Sequence, residues 1–491
     1  MTNKTATPPA TKIQSWLWRS QNLENRTASD IFTALFAQEK IATLLESPAI
    51  ADPEYPQLAR YSICAGSPRT VAGQPQLWTP EIGKILPFLR SRLQQPTLDN
   101  PEVAHLPFTG GWLGWLGYDL AWEIERLPNL NQDTLPFPVA YWYEPDCFAV
   151  LDHVEQILWL AAGEFQELDN LENRLTLCKG VSQSRGVSRK RCDPASPLGA
   201  RESAPRHAPT QIRFSTDKQQ YQKAVKQAKQ YIQAGDIFQT NLSLRFQTET
   251  TANSWSIYRQ LQQINPSPFA SYWRSPWGDM ISCSPERLVL LEGKKAQTRP
   301  IAGTRKRGEN QESDRALAAE LLSNTKEQAE HIMLVDLERN DLGRVCQWGS
   351  VEVDELLAIE RYSHVMHLVS NVKGILQPDY DAVDLIQSIF PGGTITGCPK
   401  MRCMEIIEEL EPVRRSLFYG SCGYLDRRGN LDLNILIRTL LYVKTADYDL
   451  AQVYGQVGAG IVADSDPEQE WYESLSKAEA QIAALQLIID S

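Results

Sequence analysis

The stretch Glu470-Trp-Tyr-Glu473-Ser-Leu-Ser-Lys477, near the end of the 491-residue chain, sets the reading of all the rest. On a helix, spacings of three and four place Glu470, Glu473 and Lys477 on one face. Trp471, Leu475, Ala478, Ile482 and Leu485 keep the same helical spacing and mark a second, buried face. Just upstream, Gly458-Ala-Gly460-Ile-Val-Ala-Asp464-Ser465 reads as a small-residue turn whose backbone N–H groups approach an anion. Far upstream, Lys326-Glu327-Gln-Ala-Glu330-His331 repeats the device on another predicted helix. Two glutamate pairs from remote helices suit one hard cation, with a lysine and glycine amides receiving the ligand's negative end. Taken singly, such pairs are common on solvated helix faces, so the flanking residues decide.

Composition narrows the classes. A hydrophobic content of 42% and a charged content of 22% are those of a globular protein able to bury a large core. The net charge of −11 argues against a general nucleic-acid binder. No apolar run reaches the length of a membrane span, and Met1 to Lys12 lacks the apolar core of a signal peptide. Nine scattered cysteines, odd in number and without a C-x-x-C pair, fit reduced thiols in a cytosolic protein.

Three regions follow from the pattern along the chain. Residues 1–179 read mostly as strands and turns, among them Ile41 to Ser47, Ala59 to Ile63, Ala140 to Tyr143, Cys147 to His153 and Val154 to Leu160. The glycine- and aromatic-rich Gly110-Gly-Trp-Leu-Gly-Trp-Leu-Gly-Tyr-Asp119 fits tight sheet packing better than a phosphate loop, because no Lys-Ser/Thr follows it. Residues 180–209, rich in Ser, Pro, Gly and Arg, read as a disordered linker or loop. Residues 210–491 begin with a helix from Thr216 to Ala234, N-capped by Ser215 and ended by Gly235. A strand Ile237 to Phe246, a helix Trp255 to Ile264 and a strand opening at Arg287 come next. The helix carrying Glu327 and Glu330 is closed by a polar turn at Asp336 to Asp341. Strands Val351 to Val353 and Tyr362 to Gly374 then lead to a helix ending at Leu410. Strands in long runs separated by helices, without regular βαβ alternation, give the α+β class.

Arg299-Pro-Ile-Ala-Gly-Thr304, Glu330-His-Ile-Met-Leu-Val-Asp-Leu-Glu-Arg-Asn-Asp341, Gly397-Cys-Pro-Lys-Met-Arg-Cys-Met-Glu-Ile-Ile-Glu-Glu-Leu-Glu411 and Gly458 to Ser465 strongly resemble the chorismate-utilising enzymes. That family includes anthranilate synthase component I, aminodeoxychorismate synthase component I, isochorismate synthase and salicylate synthase. The resemblance covers nearly the whole chain. It implies two facing, antiparallel-rich sheets with flanking helices, a smaller N-terminal segment completing them, and Mg²⁺-dependent chemistry on chorismate. By the same resemblance Glu330 and Glu473 are direct Mg²⁺ ligands, and Glu327 and Glu470 act through water. Arg438, Lys477, Gly458 and Gly460 match the pocket for the enolpyruvyl carboxylate, and arginine suits such a group. Glu286 matches the general acid assisting departure of the C4 hydroxyl. His367 matches the histidine lying against the ring, and Thr304, Gly303 and Thr394 line the ring pocket.

Gln239 selects among members. Water-adding members resemble one another in having lysine there as base, and glutamine cannot deprotonate water. The resemblance then implies ammonia as nucleophile, delivered by a glutaminase on a separate chain, since no Gly-x-Cys-x-Gly nucleophile turn is present here. Two aminating enzymes remain. Ala302 stands where some aminodeoxychorismate synthases carry lysine and matches the anthranilate synthase pattern. Gly110 to Asp119, Gln239 to Leu242, Ser284 to Arg287, Phe390 to Gly393 and Asp432 to Arg438 look more like the aminodeoxychorismate branch, which is the preferred reading. Glu46, Ser47, Arg60, Tyr61, Pro268 and Phe269 resemble the family's tryptophan pocket, and would equally make an ordinary core edge. A non-catalytic, glutaminase-binding paralogue predicts decayed metal and carboxylate sites, yet every such position is intact.

Overall fold

The structure, a computed structural model, describes residues 16–47, 59–95, 100–183, 212–362, 365–445 and 450–489. Among them the first sheet runs, edge to edge, β1 (Leu17–Asn22), β10 (Ile157–Ala162), β9 (Cys147–Asp152), β3 (Tyr61–Ala65), β2 (Ala42–Glu46), β13 (Phe269–Ser275), β14 (Gly278–Ser284), β23 (Thr439–Lys444), β24 (Ala451–Ile461), β12 (Gln239–Thr250) and β11 (Arg213–Phe214). A short β20 (Gly397–Cys398) also pairs with β12. The second sheet runs β17 (Ile301–Lys306), β19 (Val365–Ile375), β16 (Lys295–Thr298), β15 (Arg287–Glu292), β22 (Leu431–Asn434), β21 (Ser421–Asp426), β7 (Gly111–Leu116), β8 (Ala140–Tyr143) and β6 (Leu77–Trp78). β18 (Glu352–Arg361) lies on β19, and β4 (Thr70–Val71) with β5 (Gln74–Pro75) makes a small ribbon. All the pairings are antiparallel, and strands from the first third of the chain extend both sheets. The α+β expectation with two antiparallel-rich sheets therefore holds.

Helices α1 (Ala28–Leu35), α2 (Ile85–Leu93), the single turn α3 (Ala121–Ile124) and α4 (Phe165–Gln183) lie in the region read as strands and turns. The missed signal for α1 is the capping box Thr27-x-x-Asp30. Further on come α5 (Lys218–Ala234), α6 (Ser254–Ile264), α7 (Gln311–Ser323), α8 (Thr325–Gly343), α9 (Ala382–Ile389), α10 (Lys400–Leu410) and α11 (Pro467–Ile489). α5 ends at the left-handed Gly235, as its sequence predicts, but its N-cap is Asp217 in a box with Gln220. Ser215 instead donates its hydroxyl to the Arg245 carbonyl. Asp336 to Asp341 do not form a turn: α8 continues to Gly343 because Asp341 is buried against Lys400, 2.6 Å away. β10 starts at Ile157 rather than Val154, since the Asp152 carboxylate accepts from Val154 and Glu155 amides and makes a turn there. β18 is longer than expected, and β19 starts at Val365; His364 lies outside the described residues. Beyond Gln183 the linker expected over 180–209 also lies outside them.

Two apolar layers fix the architecture. A core shared by both sheets joins Ile63, Trp273, Met280 and Leu441 to Trp112, Trp115, Val289 and Leu433. On the far face of the first sheet, Leu242, Leu244 and Phe246 of β12 pack with Tyr221, Tyr258, Trp471 and Ala478 of the helices. Strand periodicity of two then turns Gln239, Asn241, Ser243 and Arg245 to the opposite face. Glycines in β7 are explained by crowding: a Cβ on Gly114 would strike the Tyr141 carbonyl and the Trp142 ring. Cys64, Cys147, Cys283, Cys346, Cys398, Cys403 and Cys422 are all free. Among the described residues no helix is long and apolar enough to cross a membrane.

Candidate active site

Asn324 caps α8 by accepting from the Lys326 and Glu327 amides, which sets Glu327 in the first helical turn. There its Oε1 pairs with Arg305 at 2.8 Å, while Oε2 is buried without a partner beside Gly303. On the same sheet, in register across β17 and β19, Thr304 Oγ1 stands 2.9 Å from His367 Nδ1. Burial, and then the positive charge of Arg438, push the His367 ring down to about 4, so it is neutral at physiological pH. The structure thus draws Gly303, Thr304, His367, Arg438 and Glu327 into one neighbourhood.

Glu286 stands immediately before β15 and is buried. Its amide donates to the Ser284 hydroxyl and its carbonyl accepts from the Ile435 amide, leaving the carboxyl to face inward. Burial raises that carboxyl to about 7, against the opposing influence of the Thr394 hydroxyl and the Ile301 backbone. Glu286 Oε1 and Thr394 Oγ1 are both buried and without a bond of ordinary geometry. A carboxyl that keeps its proton near neutrality is what a general acid needs.

Gly458 and Gly460 lie inside β24 and not in a turn. They pair with Ser243 and Asn241, and a Cβ would strike the Leu242 carbonyl at Gly458 or the Gln239 side chain at Gly460. Pairing of β24 with β23 stops at Gly455, so this stretch has one edge free of β23. Lys477 Nζ donates to the Gly458 carbonyl at 3.0 Å, and Arg438 Nη1 to the Lys477 carbonyl at 2.6 Å. Arg438 sits in the irregular segment between β22 and β23, with φ 52°, rather than within a strand. Gln239 is buried with its Oε1 unpartnered.

Glutamates of α8 and α11 feel one another's charge across the space between the two helices. Burial raises the Glu330 carboxyl; Lys326 opposes this, and the negative charges of Glu327 and Glu473 add to it. Burial likewise raises Glu470, countered first by the Ser465 hydroxyl, and Glu470 feels both Glu473 and the remote Lys326. Lys477 pairs with Glu473 at 2.8 Å, and Lys326 lies 3.7 Å from Glu330. Among the described residues no three His, Cys, Asp or Glu side chains are close enough to hold an ion together. A site with two direct carboxylates and two acting through water does not require that, since Mg²⁺ retains several waters. The donors are all oxygen, and Glu327 Oε2 and Glu470 Oε2 are buried with no protein partner, so the residues fit a hard dication.

A cavity of about 600 Å³ opens between the sheets, lined by Glu46, Arg60, Tyr61, Pro268 and Phe269 of the first and by Arg287, Tyr424 and Asp432 of the second. Ser47 does not line it; its hydroxyl is buried without a partner. Glu46 Oε1 accepts from Ser29, Tyr258 and Gln262. Sequence reading missed Arg305, although it follows Thr304 directly, and Glu338, buried within the quoted motif. The ion pair of Arg305 with Glu327 and the burial of Glu338 are visible only in the fold.

The family described as chorismate binding enzyme matches residues 51–483, and the chain belongs to it. It is similar to the anthranilate synthase component I-like protein of Synechocystis sp., with 61% identity over 482 residues, 97% of this chain and 93% of the relative. Aminodeoxychorismate synthase component 1 of Bacillus subtilis is 44% identical over 439 residues, 87% of this chain and 90% of that protein. Among solved structures, anthranilate synthase component I from Streptococcus pneumoniae matches with a TM-score of 0.68 at 32% identity, covering 86% of this chain and 92% of that one. The chain is a chorismate-utilising enzyme.

Proposed function

We propose that this enzyme aminates chorismate at C4 to give 4-amino-4-deoxychorismate, with ammonia supplied by a glutaminase on a separate chain. The observation that carries amination over water addition is that Glu286 is a buried carboxyl that keeps its proton near neutrality while Gln239 is a buried amide that cannot activate water. An acid with no base for water points to a nucleophile that arrives already competent, and ammonia is one. Glu330 and Glu473 would hold Mg²⁺ directly, and Glu327 and Glu470 through water. The ion would neutralise the ring carboxylate and polarise the ring as the hydroxyl leaves.

The protein's own groups do the rest. Arg438 and Lys477, beside the open stretch of β24, bind the enolpyruvyl carboxylate. Thr304 orients the neutral His367 against the ring through their hydrogen bond. Glu286 gives its proton to the departing C4 hydroxyl, which leaves as water. Similarity to the Bacillus subtilis enzyme supports the aminodeoxychorismate branch.

A second reading, anthranilate synthase component I, is favoured by Ala302. Alanine puts no amine on β17 to attack the ring, and the Synechocystis relative carries an anthranilate synthase-like name. Chorismate, ammonia and Mg²⁺ supplied to the purified protein decide between them. A product that yields p-aminobenzoate only after a lyase is added is expected. Anthranilate formed directly would overturn the branch.

A further inference from the structure

Behind Glu286 lies a second buried acid that the reaction as described does not use. Glu338 of α8 is buried, and its Oε2 has no partner. The nearby cation, Lys400 of α10, is already spent on Asp341 at 2.6 Å and on the Ile389 carbonyl at 2.6 Å. Arg344 takes the other Asp341 oxygen at 2.8 Å. A buried carboxyl with no cation of its own favours its protonated form, because an unpaired charge is costly to bury. Thr298 of β16, Asp341, Lys400 and Glu286 are the polar and charged groups facing it, and burial followed by the Asp341 charge raises it to about 8.

Only a thin wall separates the two acids. The turn 391–394 is wedged between α8 and β15. A Cβ on Gly392 would come within 3.0 Å of Ile435 and 3.3 Å of Leu288, beside Glu286. One on Gly393 would strike Leu337 and lie 3.6 Å from Glu338 Oε1. At the end of the wall stands Thr394, whose unpartnered hydroxyl can accept one proton and donate another. On its other side Glu338 faces Asp341, and Asp341 pairs with Arg344, whose side chain is 54% exposed, so the chain of polar groups reaches solvent.

We propose that Glu338 is a reserve acid that returns a proton to Glu286 after each turnover, acting through Glu286 without touching chorismate. This rests on the proposed role of Glu286 and holds for amination at either carbon. Ammonia forms the new C–N bond as the C–O bond breaks: Glu286 gives its proton to the C4 hydroxyl, water leaves with the bonding pair, the product keeps ammonia's three hydrogens as an ammonium group, and Glu286 becomes a carboxylate. Glu338 then gives its proton to that carboxylate across the wall. Glu338 is recharged from solvent at the Asp341–Arg344 end. The glutamine variant keeps the shape and the neutral charge of Glu338 but carries no transferable acid.

The test compares a single turnover, with enzyme in excess over chorismate, against steady-state turnover near neutral pH with saturating ammonia and Mg²⁺. In Glu338→Gln the single-turnover rate is expected to match wild type while steady-state kcat falls about 10²-fold, at the low end of general-acid effects. KM for chorismate is expected to be unchanged and Glu338→Asp to restore part of kcat. Glu338→Met, of similar volume and without an acid, shows the same split should the glutamine variant fold poorly. Equal rates in both regimes, or an equal fall in both, would overturn the proposal. Glu286→Gln separates the two claims: it must lose the single turnover itself, and if it does not, the assignment of Glu286 as the acid fails instead.

Discussion

The cavity between the sheets and the reaction site lie on either side of the same short segment, Glu286-Arg287, yet treat polar groups in opposite ways. In the cavity, Arg287 pairs with Asp432 at 2.8 and 2.9 Å, Arg60 with Asp152, and Glu46 takes three donors. In the reaction site, Glu286, Gln239, Thr394, Glu327 and Glu470 each keep a buried atom with no protein partner. Unsatisfied buried groups are destabilising and therefore uncommon. These five residues of the proposed site each carry such an atom and none of the residues lining the neighbouring cavity does, which sets the two regions apart.

That contrast can be broken by experiment. The largest effect is expected at the carboxylates of α8 and α11: Glu330→Ala and Glu473→Ala each lower kcat by about 10³-fold, several kcal/mol of lost charge stabilisation. Wild-type rates in either would remove the metal assignment. Glu286→Gln is next, with kcat down about 10²–10⁴-fold and a melting temperature at or above that of wild type, because an unpartnered acid becomes a neutral amide. A large loss of stability there would mean that Glu286 belongs with the paired, structural groups. The cavity should respond the other way round. Asp432→Ala leaves Arg287 half-buried and unpaired, lowering stability in urea unfolding by about 2 kcal/mol and leaving kcat nearly unchanged.

The smallest effects concern pH. Glu286 must be protonated to donate, so kcat falls as pH rises through about 7, and Glu286→Gln abolishes that limb. Its raised carboxyl also bears on stability, which is fully present below the unfolded value of about 4.3 and lost as pH rises through the folded value. His367 works from the acid side. Its ring, depressed to about 4, contributes stability that is present above the unfolded value of about 6.5 and lost as pH falls towards the folded one. Melting temperatures measured across pH should decline on both sides, and His367→Gln should flatten the acid decline.

Much of the site was legible because its residues sit in local patterns. Glu327 and Glu330, or Glu470, Glu473 and Lys477, share helix faces by spacing alone. The α+β class followed from the distribution of strand and helix patterns. Other features escaped because they depend on chain segments far apart. Asp341 looked like a turn residue until Lys400, 59 positions on, was seen to hold it inside. Gly458 and Gly460 looked like a turn because small residues favour turns, whereas a facing Gln239 and the Leu242 carbonyl leave no room for a side chain. Glu338 carried no signal of its own within a polar run, and its burial comes from packing against the turn at Gly393.

The central claim is that side chains from α8 and α11 converge on one ion. Titrating the protein with Mn²⁺ as a substitute, and following bound metal by its paramagnetic signal, tests this without any turnover. One ion per chain is expected, with binding lost in Glu330→Ala and equally in Glu473→Ala. Undiminished binding in either variant would contradict a shared site.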